Sequence, residues 1–308
     1  MSSTSTRRID AQLEAATARW GRVECRTVTT VADSSGSLND TYFDLNMVGA
    51  DFSEQQYYVW FNVSAAGVDP AVSGKIGIQV AIATDATAEV VATAIEAAVN
   101  LLDKEVFVSV SGSVITFENQ IQGAITAEAD SGSTGFTLVQ AAAGVTVDLG
   151  ATSGALELTS STEVVDITSN QTGSIIGSQI YVGSAVEISM SLIEVTKERF
   201  DILVGEVTGD SVTPVSGTKV TGYGESRLFQ ALDELGGQLI LHPIRLAVTD
   251  KSSDVVFWKS APKPESLNFD GTAPQELAVS FTAYLDSAYN SAINLYSRGD
   301  WTQKGLRA

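Results

Sequence analysis

The chain contains one histidine, His242, and one cysteine, Cys25, and this limits the chemistry it can perform. A single histidine cannot build a histidine-rich metal site, although it could serve in a catalytic triad. No G-x-S-x-G turn is present to supply a serine nucleophile for it. Cys25 has only a weak cationic setting for a thiolate, provided by Arg22 and Arg26. We therefore expect structural roles for both residues, and the lone cysteine excludes a disulfide framework or a cysteine-based metal site within one chain.

Two glycine-containing segments come close to phosphate-binding loops, and each lacks one requirement. Residues 67–75 (GVDPAVSGK) are followed by Ile76, where a P-loop needs a hydroxyl residue to hold Mg²⁺. Residues 222–227 (GYGESR) have two of the three glycines of a dinucleotide fingerprint and no βαβ pattern around them. The acidic residues near Asp130 lack the spacing of a calcium-binding loop.

The sequence therefore predicts no enzyme activity, no cofactor and no metal site. One alternative stays open, a hydrolase with a pair of carboxylates, because such pairs are assembled in space and leave no sequence motif.

The composition excludes some partners. The 308 residues include 18 Lys and Arg against 37 Asp and Glu, which gives a net charge of −19. This balance argues against wrapping DNA and against docking on an anionic membrane, since both need clustered cations. No stretch approaches the roughly 18 apolar residues of a membrane span, and the N-terminus has no apolar run typical of a secretory signal. Only 18% of residues are charged, which suits extensive subunit contacts and equally an ordinary β-rich fold.

The charges divide the chain. Residues 38–150 contain two basic residues, Lys75 and Lys104, against fourteen acidic ones, whereas both flanking segments are more balanced. The Gly-Ala-Thr-Ser-Gly run at 150–154 has the composition of a linker. We therefore expect a domain boundary near 150.

The predicted elements of the first half are one short helix, then strands around a second helix. Residues 9–20 place Ile9, Leu13, Ala16 and Trp20 on one stripe, which predicts an amphipathic helix. A helix over 87–102 would be capped by Asp85 or Thr87. Residues 106–118 predict a hairpin that turns at Gly112.

The second half is predicted to be β-rich. In residues 185–193, Val186, Ile188, Met190 and Leu192 alternate with polar residues, which predicts a strand with one solvated face. A helix over 196–204 would end at Gly205, and a second helix would cover 225–235. Residues 238–248, 255–259 and 275–285 predict further strands, with Leu285 on the same face as Leu277, Val279 and Phe281 in the last.

Residues 167–205 resemble the tail tube proteins of tailed bacteriophages. The resemblance rests on a polar turn, a glycine before an alternating strand, an acidic residue and a short helix that ends in glycine; here these are Asn170-Gln171-Thr172-Gly173, Gly183, Glu194 and 196–205. The segments HPIRLAV, FWKSAPKPESLNFDG and QELAVSFTAYLD resemble the closing strands of that family, with Pro262 and Pro264 in a loop. Residues 38–150 depart from its pattern and resemble a small α+β module found in several phage structural proteins.

The resemblance implies a mainly β fold with α+β character. Residues 1–37 would form an N-terminal arm and the first strand of the tube domain, and 38–150 an inserted acidic α+β domain. Residues 151–308 would form a tail-tube-type β-sandwich or barrel with flanking helices.

The implied function is that of a structural virion protein. Hexameric rings would stack into a hollow tube that delivers DNA, with the inner sheets of neighbouring subunits joined. The partners would be other copies of the chain, the tape-measure, tail terminator and baseplate proteins, and DNA in transit without specific binding. The subunit would assemble in the bacterial host cytoplasm, reside in the virion tail and bind no membrane.

Two groups of residues are candidate sites under this reading. Glu187, Ser189 and Ser191 would line the lumen, although the same face could be ordinary solvated surface or a subunit contact. Arg7 and Arg8, with the Ile9–Trp20 helix and its Trp20, would form contacts between rings. The alternatives are another virion protein (decoration, tail terminator or baseplate) and a β-rich adhesin or carbohydrate-binding protein.

Overall fold

The computed structural model describes residues 4–12, 16–102, 106–150, 152–168, 176–208, 211–212, 220–221, 229, 231–268, 275–303 and 305–306. Seventeen strands and two α-helices lie within these ranges, so the prediction of a mainly β fold is confirmed. The strands are β1 Thr4–Gln12, β2 Ala16–Thr29, β3 Tyr42–Val48, β4 Glu54–Val63, β5 Ile76–Ile82, β6 Val106–Ser111, β7 Val114–Gln122, β8 Thr137–Ala142, β9 Val145–Asp148, β10 Thr152–Thr168, β11 Ile176–Leu192, β12 Ser211–Val212, β13 Val220–Thr221, β14 Gly237–Pro243, β15 Val255–Asn268, β16 Glu276–Ala283 and β17 Ser297–Arg298. The helices are α1 Ala88–Asn100 and α2 Lys197–Thr208.

The chain folds into two units. Unit 1 comprises Met1–Trp20, Val147–Trp301 and Leu306–Ala308. Unit 2 comprises Gly21–Thr146 and Thr302–Gly305. The second unit is therefore inserted between two parts of the first, and it begins at Gly21 where the sequence suggested residue 38.

Unit 1 is built on an antiparallel sheet. Its strands follow the order β1-β10-β11-β16-β15-β14-β2. The two longest neighbours, β10 and β11, are 17 residues each. The core of unit 1 is formed by apolar side chains from β10, β11, β14, β15 and β16, together with Leu203 of α2. These side chains include Leu156, Ile188, Leu239, Phe257 and Phe281.

The predicted helix over residues 9–20 is wrong. Its described residues lie in β1, which pairs with β10 from Thr4↔Val165 to Gln12↔Glu157, and in β2. Ala16, Ala18 and Trp20 are buried in alternation with Thr17 and Arg19, which is the period of a strand. Pairing with neighbouring strands has overridden a helical stripe that was too short to be stable alone.

Pro262 and Pro264 lie in β15 and not in a loop. They face Phe281 and Val279 of β16, and the register shifts just after Pro264. Proline lacks an N–H, so it is tolerated where a strand has a neighbour on one side only or at a bulge. The pairing of β15 with β14 ends at Ser260, before both prolines.

Three smaller predictions in unit 1 also differ from the structure. Helix α2 runs through Gly205 to Thr208, so Gly205 does not end it. Leu285 lies beyond the end of β16 and is exposed. Of the predicted helix over 225–235, residues 225–228 and 230 fall outside the described residues, and its last part is a 3-10 turn, Leu232–Leu235. The Asn170-Gln171-Thr172-Gly173 turn also lies outside the described residues.

Unit 2 combines a small sheet, a helix and a hairpin. The sheet has the order β3-β4-β5, and β4 and β5 are parallel. Helix α1 is capped by the Thr87 side chain, which accepts the Val90 N–H, and it buries Val91, Ala92, Ile95 and Val99. This confirms the predicted helix, with Thr87 as its cap. The predicted hairpin is also confirmed, as β6 and β7 join at Gly112, whose φ of +62° suits a glycine.

Candidate functional site

The predicted alternation along β11 is present. Val186, Ile188, Met190 and Leu192 are buried, whereas Glu187 and Ser189 are exposed and Ser191 is partly exposed. Glu187 stands between Thr159 of β10 and Thr282 of β16, and Ser189 stands between Glu157 and Ser280. The exposed polar side chains here are therefore Glu187 and Ser189 of β11, beside Glu157 and the partly exposed Thr159 of β10, whereas Ser280 and the Thr282 hydroxyl of β16 are buried. A surface of this kind repels phosphate and offers it no ion pair.

The far end of the β10–β11 hairpin exposes apolar side chains on both of its faces. Ile180, Tyr181 and Val182 are 52%, 61% and 54% exposed, and Ile167 on the opposite strand is 44% exposed. Consecutive residues of a strand point to opposite faces, so neither face of this end is covered within unit 1. We call these four residues the hairpin tip cluster. Contiguous exposed apolar side chains mark surfaces that are buried against a partner.

The same hairpin leaves the backbone of a strand open. In the described part of the chain, β11 pairs with β16 only from Glu187 to Leu192. Its earlier residues, Ile176–Val186, have β10 on one side and no strand on the other. β1 stands at the end of the strand order, and among the described strands only β10 pairs with it. Unit 1 therefore has two open strand edges, which are templates for pairing with another chain.

A cavity of about 560 Å³ lies beside the open edge of β11. Its lining is uncharged and consists of Tyr181, Gly183, Ser184, Leu285 and residues 291–296. We call this space the edge slot. It lies between the open segment of β11 and the chain that follows β16, which ends at Ala283.

The three residues expected at ring contacts occupy different environments. Arg7 and Arg8 lie in β1 opposite Thr162 and Ser161, and their side chains are outside the described part of the structure. Trp20 has no exposed surface, and its Nε1 donates a hydrogen bond to the carbonyl oxygen of Ser260 at 3.1 Å. The Trp20 side chain therefore belongs to the core of unit 1 and is not available at the surface.

His242 is part of a buried polar chain in unit 1. Its Nδ1 lies 2.6 Å from Oδ1 of Asp254, whose side chain is fully buried. The other carboxylate oxygen of Asp254 accepts the Trp301 Nε1–H at 2.8 Å. Nε2 of His242 is buried and bonds to no described residue, so no nucleophile contacts it. The arrangement links β14 to the segment after β17, and no described residue supplies the third member of a triad.

Unit 2 contains a buried ionic cluster that sequence reasoning missed. Nε of Arg26 lies 2.9 Å from Oε1 of Glu128, although its N–H does not point along that line. Nη2 of Arg26 donates to the carbonyl oxygen of Asn46 at 2.6 Å. Glu24, also buried, accepts hydrogen bonds from the Gln140 amide and the Gly144 N–H. Burial raises the pKa of Glu128 from its ordinary value of 4.5 to about 7, and the charge of Arg26 opposes this rise.

This cluster brings two carboxylates to one pocket, yet its geometry suits a structural role. The pocket is about 190 Å³, which is smaller than the ~300–1,000 Å³ of typical ligand sites. Both oxygens of Glu24 already accept hydrogen bonds, so neither is free to act as a base. Glu128 binds the Asn46 N–H and thereby ties the segment after β7 to β3. No sequence motif could have identified it, because its members are far apart in the chain.

No family model matches the chain, and no curated protein matches it. Within the described ranges, no group of three or more His, Cys, Asp or Glu residues is arranged to hold a metal ion. None of the described helices is long and apolar enough to cross a membrane.

Proposed function

We propose that the chain is a structural subunit of a bacteriophage tail tube, in which hexameric rings stack into a hollow conduit for DNA. The observation that carries this proposal is the pair of open strand edges in unit 1, together with the hairpin tip cluster. An isolated protein with such edges is prone to uncontrolled pairing, whereas a closed ring removes the edges altogether.

The distribution of charge supports assembly through sheet edges. The chain carries a net charge of −19, so two copies repel one another at long range. Residues 152–192, which hold β10 and β11, contain no basic residue, and the edge slot is uncharged. Contacts between copies therefore depend on backbone pairing and apolar burial, and the repulsion limits growth to correctly aligned copies.

The polar face of β11 is assigned to the lumen in this proposal. Glu187, Ser189 and Ser191 would present hydroxyls and a carboxylate to DNA that passes by, so phosphates would find no cation to bind. The tape-measure protein would occupy the same space before DNA, and terminator and baseplate proteins would meet the end rings. The subunit would assemble in the host cytoplasm and remain in the virion tail.

The alternatives receive less support from the geometry. A hydrolase needs an accessible carboxylate pair, whereas Glu24 and Glu128 are buried and occupied by other groups. A decoration, terminator or baseplate protein with a similar sheet would form a single ring or a monomer and would not form long tubes. An adhesin or carbohydrate-binding protein would act as a monomer and bind glycans.

Electron microscopy and native mass spectrometry of the purified chain test the proposal. We expect rings of six times the chain mass of 32.4 kDa, and tubes at higher concentration. A protein that stays monomeric at all concentrations, or that binds glycans as a monomer, would contradict it.

A further inference from the structure

We propose that β1 of one copy adds to the open edge of β11 of the next copy, beside the edge slot, and forms a parallel strand pair there. This inference rests on the proposed function and specifies which surfaces meet. It follows from strand direction, length and charge in unit 1.

The direction of the strands determines the sense of the pair. β1 runs antiparallel to β10, and β10 runs antiparallel to β11, so β1 and β11 point the same way. Rotation about a ring axis does not reverse a strand that is inclined to that axis by less than a right angle. β1 of the next copy therefore also points the same way as the β11 it meets. The junction is parallel, although the β1–β10, β10–β11, β11–β16, β15–β16 and β14–β15 pairs are all antiparallel.

The length of the two edges also fits. β1 is nine residues long and is open along its outer side. The open segment of β11, Ile176–Val186, has room for a strand of that length. At Tyr181, Gly183 and Ser184 this segment borders the edge slot of about 560 Å³, which provides space for the incoming side chains.

Charge favours β1 over other segments of a second copy. β1 carries Arg7 and Arg8 against one carboxylate, Asp10, in a chain that is otherwise strongly acidic. The β10–β11 hairpin carries Glu163, Asp166 and Glu187 and no basic residue. In a ring, the acidic β10–β11 hairpin of each subunit would then lie between β1 of the same subunit and β1 of the adjacent subunit. Both of these strands carry Arg7 and Arg8. The arginines thereby offset the repulsion between copies at the point where they meet.

A cross-linking experiment tests the pairing directly. In a Cys25→Ser background, one preparation carries Thr6→Cys in β1, and a second preparation carries Val182→Cys in β11. After the two are mixed, assembled and oxidised, we expect a covalent dimer of the two different chains. Its yield should exceed that of a control that pairs Thr6→Cys with Val68→Cys by about a hundredfold, because only the former pair is held at high effective concentration. Val68 is a matched control because it is 72% exposed and lies in unit 2.

A bridge within one chain cannot imitate this result. Each chain carries a single introduced cysteine and lacks Cys25, the one natural cysteine, so a disulfide within one chain cannot form. Arg8→Cys in β1 and Ile180→Cys in β11 provide a second pair of positions. This pair covers a different register between β1 of one copy and β11 of the next, in which Thr6 and Val182 are not adjacent. Equal yields for both β1–β11 pairs and the control, in assembled protein, would overturn the inference.

An edge-blocking substitution separates this inference from the proposed function. Val182→Lys places a charge at the open edge and should reduce ring formation at least about tenfold, since lysine on an edge strand opposes pairing. Val68→Lys should assemble like the unmodified chain. If the unmodified chain assembles and Val182→Lys does so equally well, the β11 edge is not the junction and the proposed function still stands. If the unmodified chain never assembles, the proposed function itself fails.

Discussion

Unit 2 uses its polar groups internally, whereas unit 1 leaves strand edges and an apolar cluster open. In unit 2, Asp33 accepts backbone N–H groups from three residues, and Asp130 accepts from two backbone N–H groups and a hydroxyl. Its exposed apolar residues are dispersed along the chain; examples are Val31, Val68, Val90 and Leu101. In unit 1, Ile180, Tyr181 and Val182 are consecutive and lie on an open strand. The exposed apolar side chains are therefore contiguous on an open strand in unit 1 and dispersed in unit 2.

The largest effect is expected from opening the buried cluster of unit 2. Arg26→Ala removes the cation that is paired with Glu128 and leaves that carboxylate buried without its partner. We expect the free energy of unfolding of unit 2 to fall by about 3–5 kcal/mol, measured by urea denaturation. Arg19→Ala is a control in unit 1, because its pair with Asp148 at 3.1 Å is partly exposed; it should lower the free energy of unfolding of unit 1 by less than about 1 kcal/mol and leave that of unit 2 unchanged. Equal effects of the two substitutions would contradict the assignment of the cluster.

The next effect is a pH dependence of unit 2. The pKa of Glu128 is raised from 4.5 to about 7 in the folded chain, so the folded state holds its proton more tightly than the unfolded state. The free energy of unfolding should therefore fall as the pH rises from about 5 to about 7, by on the order of 3 kcal/mol, and then level off. Arg26, Glu24 and Asp44 are the charged groups that act on it.

Glu128→Gln tests the origin of that slope. Glutamine keeps the size of the side chain and does not titrate, so the fall between pH 5 and 7 should disappear. A slope that persists in the Glu128→Gln variant would assign it to another group.

A smaller effect is expected at the polar face of β11 in unit 1. Glu187→Lys should leave tubes intact, because Glu187 is exposed and lies on the face opposite the core. A ring of lysines in the lumen would bind phosphates and slow DNA release from phage particles that carry the substitution. An unchanged rate of release would place this face outside the lumen.

Removal of unit 2 should have the smallest effect on assembly. The Leu149 N–H donates to the carbonyl oxygen of Ala18 at 2.9 Å, so the chain enters and leaves unit 2 at neighbouring points of unit 1. Replacing Gly21–Thr146 by a short glycine-serine turn should therefore give a folded chain that assembles as the full chain does, measured by sedimentation velocity. A folded chain that remains monomeric would show that unit 2 takes part in assembly.

The elements that were predicted correctly from the sequence are those whose characteristic pattern lies within a few neighbouring residues. Helix α1 and the β6–β7 hairpin were found because a cap, an apolar stripe and a glycine turn lie within a few residues of each other. The alternation of β11 was found for the same reason. The prediction of a helix over residues 9–20 was wrong because β1 is stabilised as a strand by pairing with β10, which lies more than a hundred residues away in the chain.

The candidate sites were less accessible to sequence reasoning. β11 has an open edge because its pairing with β16 covers only Glu187–Leu192. The residues of β11 alone do not indicate how far that pairing extends. Arg26 and Glu128 are about a hundred positions apart, and each alone looks like an ordinary surface charge. Trp20 was predicted to lie at a contact between rings because the sequence placed it on the apolar side of a short helix with no identified partner. In the structure Trp20 is buried in the sheet and donates a hydrogen bond to Ser260.

The tryptophans make the two units optically distinguishable. Trp20, Trp258 and Trp301 belong to unit 1, where Trp20 and Trp301 each donate a hydrogen bond through Nε1 and Trp258 stacks on Tyr289. Trp60 of β4 is the single indole of unit 2. The intrinsic tryptophan fluorescence of a Trp60→Phe chain would therefore report on unit 1 alone. The difference between the fluorescence of the unmodified chain and that of the Trp60→Phe chain would report on unit 2.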